Sequence, residues 1–482
     1  MNNTNGNYKW WVLATISIVN FSAALDTSII IVSFPRLADV FNTDASTVVW
    51  LVVAFSIAEL GLLLTLARVG DTIGRKRVFV AGLSTYTLGL ILCSISPNII
   101  VLIISRVIQG MGAAVIITLG SAIVVAVFPR EQQGKAIGIF GMLTSIGLIA
   151  GPAFGGVILD FLDWQGIFYT RIPIVFITLL MALVIIKEQK EPDARLRLDI
   201  GGAATLLTGA TCLLLYLNLG SDWGYGSISS LLLALGAIVF FFIFFRLERK
   251  AIQPVLDIGL FTNRSFTMAT LTNLLQMSAA SIVPVLIPFF LINGLLYSQS
   301  TVGLLMALIA IPSVILSPLS GWISDKIGNR VPMVFATACF SVALFLFSRM
   351  NIDSTMLHIC LIGIIFGTAM GVFMAPNQSA VISAAPRRNL ATALGVANAM
   401  RLLGASIGTA LGGTLYASRQ VASQAEMVEE GVFSPAMIEQ LSSTESFRYV
   451  ILLAAFLSIT AIITSALVGK PPVFDDDEPV PS

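Results

Sequence analysis

Long runs of apolar residues, separated by short polar segments, dominate the pattern of this chain. The first run begins after Lys9 and extends to Pro35. The later runs are centred near residues 57, 87, 112, 147, 177, 209, 237, 279, 312, 340, 368, 404 and 457. Apolar runs of about 18 or more residues predict membrane-spanning helices, because a helix satisfies its own backbone polar groups in hydrocarbon. The sequence therefore predicts an all-α polytopic membrane protein with about 14 transmembrane helices.

Basic residues concentrate on one side of the predicted membrane. If the N-terminus is inside, the inner segments contain 20 of the 27 lysine and arginine residues, from Lys9 to Lys470. Positively charged residues favour cytoplasmic loops. Both termini are therefore predicted to be cytoplasmic, in a multi-pass protein of the cytoplasmic (inner or plasma) membrane. The same topology places the acidic segment 419–446 outside, where we interpret it as a solvated surface loop.

The amino-acid composition and the short loops argue against several functional classes. Only 11% of the residues are charged, against about 25% in soluble proteins, which argues against a water-soluble enzyme. The net charge of +1 provides no basic surface for nucleic acid. The four cysteines lie in apolar runs without the spacing of a zinc site, and no cofactor is expected. The loops contain no nucleotide-binding motif and are too short for a catalytic domain, so neither an ATP-driven pump nor a membrane enzyme is favoured.

The chain contains an internal repeat. Segment 70–76 resembles segment 324–330 at an offset of 254 residues, and the glycine series 147–156 recurs as 404–413 at an offset of 257. Eight predicted spans separate the equivalent elements, whereas two directly joined six-span halves would give six. We therefore predict two six-helix repeated bundles with an inserted two-helix hairpin. Repeated bundles with a site between them near the midplane are typical of transporters.

The repeat divides the chain into four predicted parts. They are an N-terminal six-helix bundle (1–187), linkers with the inserted hairpin (188–264), a C-terminal six-helix bundle (265–470) and an acidic cytoplasmic tail (471–482). The hairpin is predicted to pack at the periphery. A central cavity is expected between spans 1, 2, 4 and 5 and spans 9, 10, 12 and 13.

The two repeated loops combine glycines with charges. The candidate gating residues are Gly70, Asp71, Gly74, Arg75 and Lys76 in the first loop and Asp325, Gly328 and Arg330 in the second. A carboxylate stabilises the start of a helix, and an ion-pair latch that breaks in one conformation would suit a rocking bundle. The alternative is a basic loop with only a topological role.

The fifth predicted span carries glycines beside a proline. Gly147, Gly151 and Gly155 share one helix face, and Pro152 and Gly156 lie next to it. Small residues let a second helix approach closely, and an in-span proline favours a kink. The span is therefore a candidate for a shape change or a tight seal. Packing alone is the alternative explanation of the glycines.

Four ionisable residues lie inside predicted spans: Asp26, Glu59, Arg106 and Arg401. Each costs about 2.5–3.5 kcal/mol on insertion scales, so a functional role is the working hypothesis. At ~1.5 Å per residue, Asp26 lies ~25 Å from the inner face and Arg106 ~12 Å below the outer face, which makes them neighbours in depth. Glu59 and Arg401 lie nearer the midplane.

A carboxylate and an arginine that separate during a conformational change can switch proton affinity. Asp26, Glu59 and Arg106 are therefore candidates for proton coupling, and Arg401 for a substrate or coupling charge. The alternatives are an inter-helix hydrogen bond for Asp26, a satisfied bundle polar group for Glu59, and structural pairing or anchoring for the arginines. Arg171, near the outer interface, is predicted to snorkel to the surface.

Four segments of the chain resemble sequence motifs of the major facilitator superfamily and, within it, of the fourteen-span drug:proton antiporters. Segment 25–35 is similar to the first-span motif of that family, and 68–76 to the signature of loop 2–3, although Ala67 replaces its usual leading glycine. Segment 106–114 resembles the span-4 motif, and 151–156 resembles the span-5 motif associated with antiporters. Arg171 occupies a family-like segment where asparagine is more usual.

The resemblance implies proton-coupled efflux of hydrophobic, in part cationic, small molecules by alternating access. The main alternative is a dedicated exporter of one metabolite, siderophore or antibiotic on the same scaffold. A non-transporting receptor is the third hypothesis. The expected partners are small hydrophobic substrates, protons and membrane lipids, with no nucleic acid. A monomer is expected to be the functional unit.

Overall fold

The computed structural model describes residues 7–188, 200–249, 258–385, 390–429 and 434–469. Within these ranges the chain forms fifteen α-helices and no β-strand. The helices are α1 Tyr8–Val32, α2 Phe34–Phe41, α3 Ala45–Ile73, α4 Arg75–Ser94, α5 Ile99–Val127, α6 Arg130–Tyr169, α7 Ile172–Ile185, α8 Ile200–Trp223, α9 Ile228–Glu248, α10 Arg264–Phe289, α11 Gln299–Ile327, α12 Arg330–Phe347, α13 Met356–Ser383, α14 Leu390–Glu429 and α15 Pro435–Ala466. The predicted all-α class is confirmed for these residues. The predicted linkers and the acidic tail 471–482 lie largely or wholly outside them.

Twelve segments of the described chain are long and apolar enough to cross a membrane. One of them, Ile139–Ile185, joins α6 to α7 and contains 47 residues. A single helix of that length would extend ~70 Å, more than twice the thickness of the hydrocarbon layer. The stretch is broken at Asp163, whose φ of 58° is not helical, and α8 adds a shorter apolar stretch, Ala204–Gly220. The protein is therefore a multi-pass membrane protein.

Capping side chains fix where several helices begin. The Asp44 carboxylate accepts a hydrogen bond of 2.9 Å from the backbone N–H of Thr47 at the start of α3, and Asn98 does the same for Val101 in α5. Such caps satisfy backbone donors that have no partner inside the helix. We call the end of the bundle at which α3 and α5 begin the Arg36 end, and the end at which α1 begins the Lys9 end.

The helices form two groups, the N half (α1–α7) and the C half (α10–α15). In the N half α6 packs on α1, and a Cβ added at Gly151 would lie 2.9 Å from the carbonyl oxygen of Leu25. In the C half α14 packs on α10, and a Cβ added at Gly408 would overlap the carbonyl oxygen of Ser278. The two glycine series predicted to be equivalent thus make the same kind of backbone contact in each half.

The remaining helices, α8 and α9, pack against each other as a hairpin. Most apolar residues of α9 are exposed on the surface of the protein, whereas α8 contacts α3 and α14. Ala210 and Leu214 of α8 are buried, and Leu207 fills the space beside Gly61 of α3. The hairpin therefore has an outer helix and an inner helix that reaches both halves.

The acidic segment between the last two spans is largely exposed in its described part, as expected of a solvated surface segment, but it is helical and not an open loop. Most of it is helical, because α14 continues to Glu429 and α15 begins at Pro435. Arg419 pairs with Glu426 at 3.0 Å and also with Glu445 across the two helices. Ion pairs of Arg419 thus connect the end of α14 to the start of α15. The number of acidic residues in the sequence did not indicate this pairing.

Candidate functional site

A cavity of about 290 Å³ lies between the two halves. Helices α1 and α6 line it from the N half, and α10, α11 and α13 line it from the C half. Its polar side chains are Ser28 and Ser313, and the remaining lining is apolar, including Met306, Phe366 and Met370. An apolar pocket with few polar groups suits a hydrophobic small molecule.

Aromatic side chains pack the two halves together between this cavity and the Arg36 end. Phe34 of α2 lies with its ring centroid 6.5 Å from that of Phe289 in α10. Phe289 in turn lies 5.3 Å from the ring of Tyr416 in α14. Phe34 and Tyr416 are fully buried, so the cavity is separated from the Arg36 end by tightly packed side chains.

A backbone contact between α6 and α11 extends this seal. A Cβ added at Gly156 would overlap the carbonyl oxygen of Gln299, and one added at Gly303 would overlap the carbonyl oxygen of Pro152. Ser300 of α11 also donates a hydrogen bond to Asp160 of α6. The two halves therefore meet here with no room for a side chain.

The glycines of the fifth span serve two different contacts. Gly147, Gly151 and Gly155 face α1, whereas Gly156 and the Pro152 carbonyl face α11 of the other half. The close helix approach predicted from the glycine spacing is present. Gly303, on the C-half side, was not identified from the sequence because it belongs to no glycine series.

Replacing Gly303 by valine is expected to reduce transport at least ten-fold. The added side chain would collide with the Pro152 carbonyl, and such overpacking typically costs about 1–3 kcal/mol. The matched control is Gly321→Val on the same helix, where the added Cβ would meet Ala375 at an ordinary 3.5 Å. Substrate uptake by liposomes measures the effect. Uptake of Gly303→Val at the control rate would contradict a sealing role.

Three charged side chains form a buried cluster inside the N half. Asp26 of α1 accepts a hydrogen bond from Arg106 of α5, with Nη1 2.6 Å from Oδ2. Its other oxygen, Oδ1, accepts a hydrogen bond from Nη1 of Arg171, which precedes α7. The exposed side-chain fractions are 0%, 1% and 4% for Asp26, Arg106 and Arg171. One carboxylate thus neutralises one of two guanidinium charges.

Neighbouring groups hold Arg106 in place. Its Nε donates a hydrogen bond of 3.0 Å to the carbonyl oxygen of Leu51, and its Nη1 donates one of 2.7 Å to Oε1 of Gln109. The guanidinium lies over the ring of Phe55, with Cζ 4.3 Å from the ring centroid. These contacts join α3 and α5 around a cation that would otherwise be costly to bury.

The expectation that Arg171 snorkels to the surface is wrong. Its Nε donates a hydrogen bond of 2.8 Å to the carbonyl oxygen of Ile167, while its Nη1 contacts Asp26. The turn of α6 beyond Asp163 covers it, and buried Trp164 packs there against Phe41 of α2. The expectation rested only on the position of Arg171 near the outer interface. The sequence did offer one sign of a special role, because Arg171 stands where the similar family usually has asparagine.

The charged cluster faces away from the cavity. Ser28 and Ile31 of α1 line the cavity, and Asp26 lies about 200° around the helix from Ser28. Asp26 contacts α5 and the start of α7 instead. The depth prediction that Asp26 and Arg106 are neighbours is confirmed, but in this conformation neither residue lines the cavity.

Glu59 and Arg401 lie at the boundary between the halves. Glu59 of α3 is 8% exposed, whereas Arg401 of α14 is exposed. The helices that carry them pack against each other, but no ion pair joins Glu59 to Arg401 among the described residues. The adjacent Leu60 packs with Leu402 of α14 in one apolar cluster. The structure therefore places both candidate charges at the contact between α3 and α14, a relation that the sequence had not indicated.

The first candidate gating loop makes its described contacts within the N half. Gly74, with φ of 123°, separates α3 from α4, and the backbone N–H of Lys76 donates a hydrogen bond of 3.1 Å to Glu188. Nζ of Lys76 donates one of 2.6 Å to the carbonyl oxygen of Leu183 near the end of α7. These contacts attach the loop to α7.

Other parts of the gating prediction remain untested. The side chains of Asp71 and Asp325 lie outside the described part of the structure, so the latch stays a prediction. In the second loop Gly328 has φ of 83°, and Arg330 is exposed at the start of α12. Gly70 packs against Leu119 of α5. Among the described residues, no group of three or more His, Cys, Asp or Glu side chains could hold a metal ion.

Comparisons with known proteins agree with this architecture. The family model described as Major Facilitator Superfamily matches residues 16–265 and 268–481. Riboflavin transporter RibZ of Clostridioides difficile (strain 630) is 29% identical over 409 residues, covering 85% of this chain and 88% of that protein. Multidrug resistance protein 3 of Bacillus subtilis (strain 168) is 28% identical over 481 residues, covering 93% of each.

A solved structure shares the fold. It is the crystal structure of a bacterial homolog of the human lysosomal transporter Spinster in an inward-facing, unoccupied conformation. The TM-score is 0.69 at 14% identity, with coverage of 96% of this chain and 97% of that one. The family model spans nearly the whole chain, and the chain therefore belongs to the Major Facilitator Superfamily.

Proposed function

We propose that this transporter exports hydrophobic, in part cationic, small molecules across the cytoplasmic membrane in exchange for protons. The observation that carries the proposal is the apolar cavity between two halves that are packed together at the Arg36 end. Rocking of the halves would open that end and give alternating access to the cavity. A multidrug resistance protein similar over 93% of the chain supports the substrate class.

The orientation is part of the proposal. The excess of Lys and Arg assigns the Lys9 end to the cytoplasm, so the sealed Arg36 end faces outward. The proposed fourteen-span topology counts α6 and α7 as two spans and α8 as a further one. The 47-residue length of Ile139–Ile185 and its break at Asp163 support the first count, and the apolar stretch Ala204–Gly220 supports the second. The proposed bundles then correspond to 1–187 and 265–470, with α8 and α9 as the inserted hairpin and a monomer as the working unit.

Fusing a reporter that is active only in the cytoplasm checks this topology. We expect activity when the reporter follows Ser482 and no activity when it is inserted near Glu430. The physical reason is that both termini share the basic side of the membrane, whereas the segment between α14 and α15 lies opposite. The reverse pattern of activity would contradict the orientation, and equal activity at both sites would contradict the span count.

Glu59 is the proposed proton carrier. It lies on α3 at the boundary between the halves, and Arg401 lies on α14 across that boundary, so rocking would change the distance between the two side chains. Moving a cation toward or away from a carboxylate changes how tightly the carboxylate holds a proton. Arg401 would then release the proton from Glu59 in one conformation and permit rebinding in the other.

Asp26 and Arg106 contribute to coupling in a different way. Protonating Asp26 in its present arrangement would remove the counter-charge of two buried guanidinium groups. The cluster therefore suits a fixed connection between α1, α5 and the start of α7, which makes the N half move as one body. Glu59 carries the charge that changes, and Asp26 maintains the geometry around it.

Transport by the purified protein in liposomes tests the proposed function. The panel contains hydrophobic cations, neutral dyes and riboflavin, each measured with and without an imposed pH gradient. We expect the gradient to accelerate several hydrophobic compounds at least ten-fold. Gradient-independent transport of every compound would contradict proton coupling.

A dedicated exporter of one metabolite is the second candidate. Riboflavin transporter RibZ is similar over 85% of this chain, which makes riboflavin the first compound to test. The same liposome panel separates the two candidates. Acceleration of riboflavin alone would favour the dedicated exporter, whereas acceleration of several unrelated compounds would favour multidrug export.

A further inference from the structure

A buried asparagine of the hairpin contacts both halves of the transporter. Nδ2 of Asn218 in α8 lies 3.2 Å from the carbonyl oxygen of Ser46, at the start of α3 in the N half. The same Nδ2 lies 3.2 Å from Oγ1 of Thr414 in α14 of the C half. Asn218 is 2% exposed, Ser46 2% and Thr414 0%. One amide therefore joins helices that belong to different halves.

The surrounding chemistry fixes the orientation of this amide. The indole N–H of Trp50 donates a hydrogen bond to Oδ1 of Asn218. Because an indole nitrogen only donates and a backbone carbonyl only accepts, Nδ2 must point toward Ser46 and Thr414. All hydrogen-bonding atoms of the Asn218 side chain are thus used, which is costly to undo in a buried place.

The two halves pack tightly next to this amide. A Cβ added at Gly413 of α14 would lie 2.5 Å from a methyl carbon of Val49 in α3. If the Arg36 end opens, α3 and α14 must separate here. Nδ2 of Asn218 then loses its hydrogen bond to Thr414 or its hydrogen bond to Ser46. The α8–α9 hairpin is therefore connected to the sealed conformation through a bond that opening would break.

We infer that Asn218 is a positioning residue, through which α8 stabilises the conformation sealed at the Arg36 end. This inference rests on the alternating-access part of the proposed function, and not on its substrate or on proton coupling. In this role α8 is more than an outer addition to the two bundles. It sets how often the transporter opens at the Arg36 end.

The test uses a distance between the halves at the Arg36 end. Spin labels are placed on the full chain at Phe161→Cys in α6 and Leu357→Cys in α13, which are 81% and 66% exposed. The four native cysteines are first replaced by alanine: Cys93, Cys212, Cys339 and Cys360. Pulsed electron resonance then gives the ratio of long (open) to short (sealed) distances.

Two variants and one matched control are compared in that background. Thr414→Val keeps the side-chain shape and removes only the C-half acceptor, and Asn218→Leu removes the whole amide. The control, Thr211→Val, makes the same threonine-to-valine change on α8, the helix of Asn218. It loses only the hydrogen bond from the Thr211 hydroxyl to the carbonyl oxygen of Leu207 within that helix. We expect the open-to-sealed ratio to rise about five-fold in Thr414→Val, for one lost hydrogen bond, with no change in the control.

The double variant Asn218→Leu, Thr414→Val is expected to match Asn218→Leu alone, because both changes break the same bond. A ratio in Thr414→Val equal to that of the control would overturn the inference, and so would additive effects in the double variant. Since Thr414→Val leaves Trp50 and Ser46 paired, it keeps the test valid even if Asn218→Leu does not fold. Failure of proton coupling or of the substrate class would appear in the liposome panel with the wild type and would leave these ratios unchanged, so the inference and the proposed function fail separately.

Discussion

Asp26→Asn is expected to destabilise the transporter by about 3–5 kcal/mol, which would lower its melting temperature sharply. The reason is that two buried guanidinium groups, Arg106 and Arg171, share this one carboxylate. An amide provides no charge to balance either of them. Thermal melting of the purified protein in detergent measures the change.

The matched variant is Arg171→Asn, which leaves Asp26 and Arg106 as a neutral pair. We expect it to cost less than about 1.5 kcal/mol, because removing a cation from a cluster with excess positive charge relieves repulsion. A melting temperature of Asp26→Asn close to that of wild type would show that the cluster is not a structural unit. Asp26 would then become the better candidate for the proton carrier.

Glu59→Gln is expected to reduce transport driven by a pH gradient at least 100-fold while leaving the protein folded. Glutamine keeps the shape of the side chain but carries no exchangeable charge, and Glu59 has no ion pair among the described contacts of the kind that Asp26 has. Substrate exchange at equal pH on both sides is expected to continue, because that half of the cycle needs no net proton movement. Liposomes with an imposed gradient, and the same liposomes without one, measure the two activities.

Arg401→Gln provides the comparison for Glu59. In the proposed mechanism Arg401 favours release of the proton from Glu59, so without this cation the gradient-driven rate should need a higher pH. A shift of the rate profile to higher pH is the expected result. A profile that stays unchanged in Arg401→Gln would contradict the proposed role of this pair.

The helices and their packing faces were largely predictable from the sequence. Apolar runs located the long helices because membrane insertion demands both length and low charge. The depth count placed Asp26 beside Arg106 because helix rise per residue is nearly constant. The glycine series predicted that a second helix approaches α6 closely, since only small residues permit backbone contact, and the structure identifies that helix as α1.

Contacts that depend on how loops fold over the bundle were not predictable. Arg171 is buried because the turn after Asp163 covers it, and no periodic pattern encodes that turn. Asn218 gave no signal because a single polar residue in an apolar run reveals neither its depth nor its neighbours. Arg419 and Glu445 pair across two helices whose extension beyond the predicted spans was hidden by their polar composition.

The central claim is that substrate export and proton movement are one coupled process. Its most direct measurement follows the internal pH of liposomes when a hydrophobic cation identified by the panel is transported down its gradient. We predict that wild type moves protons in the opposite direction, and that Glu59→Gln moves substrate with no accompanying change in pH. Substrate movement in wild type without any change in internal pH would contradict proton-coupled antiport.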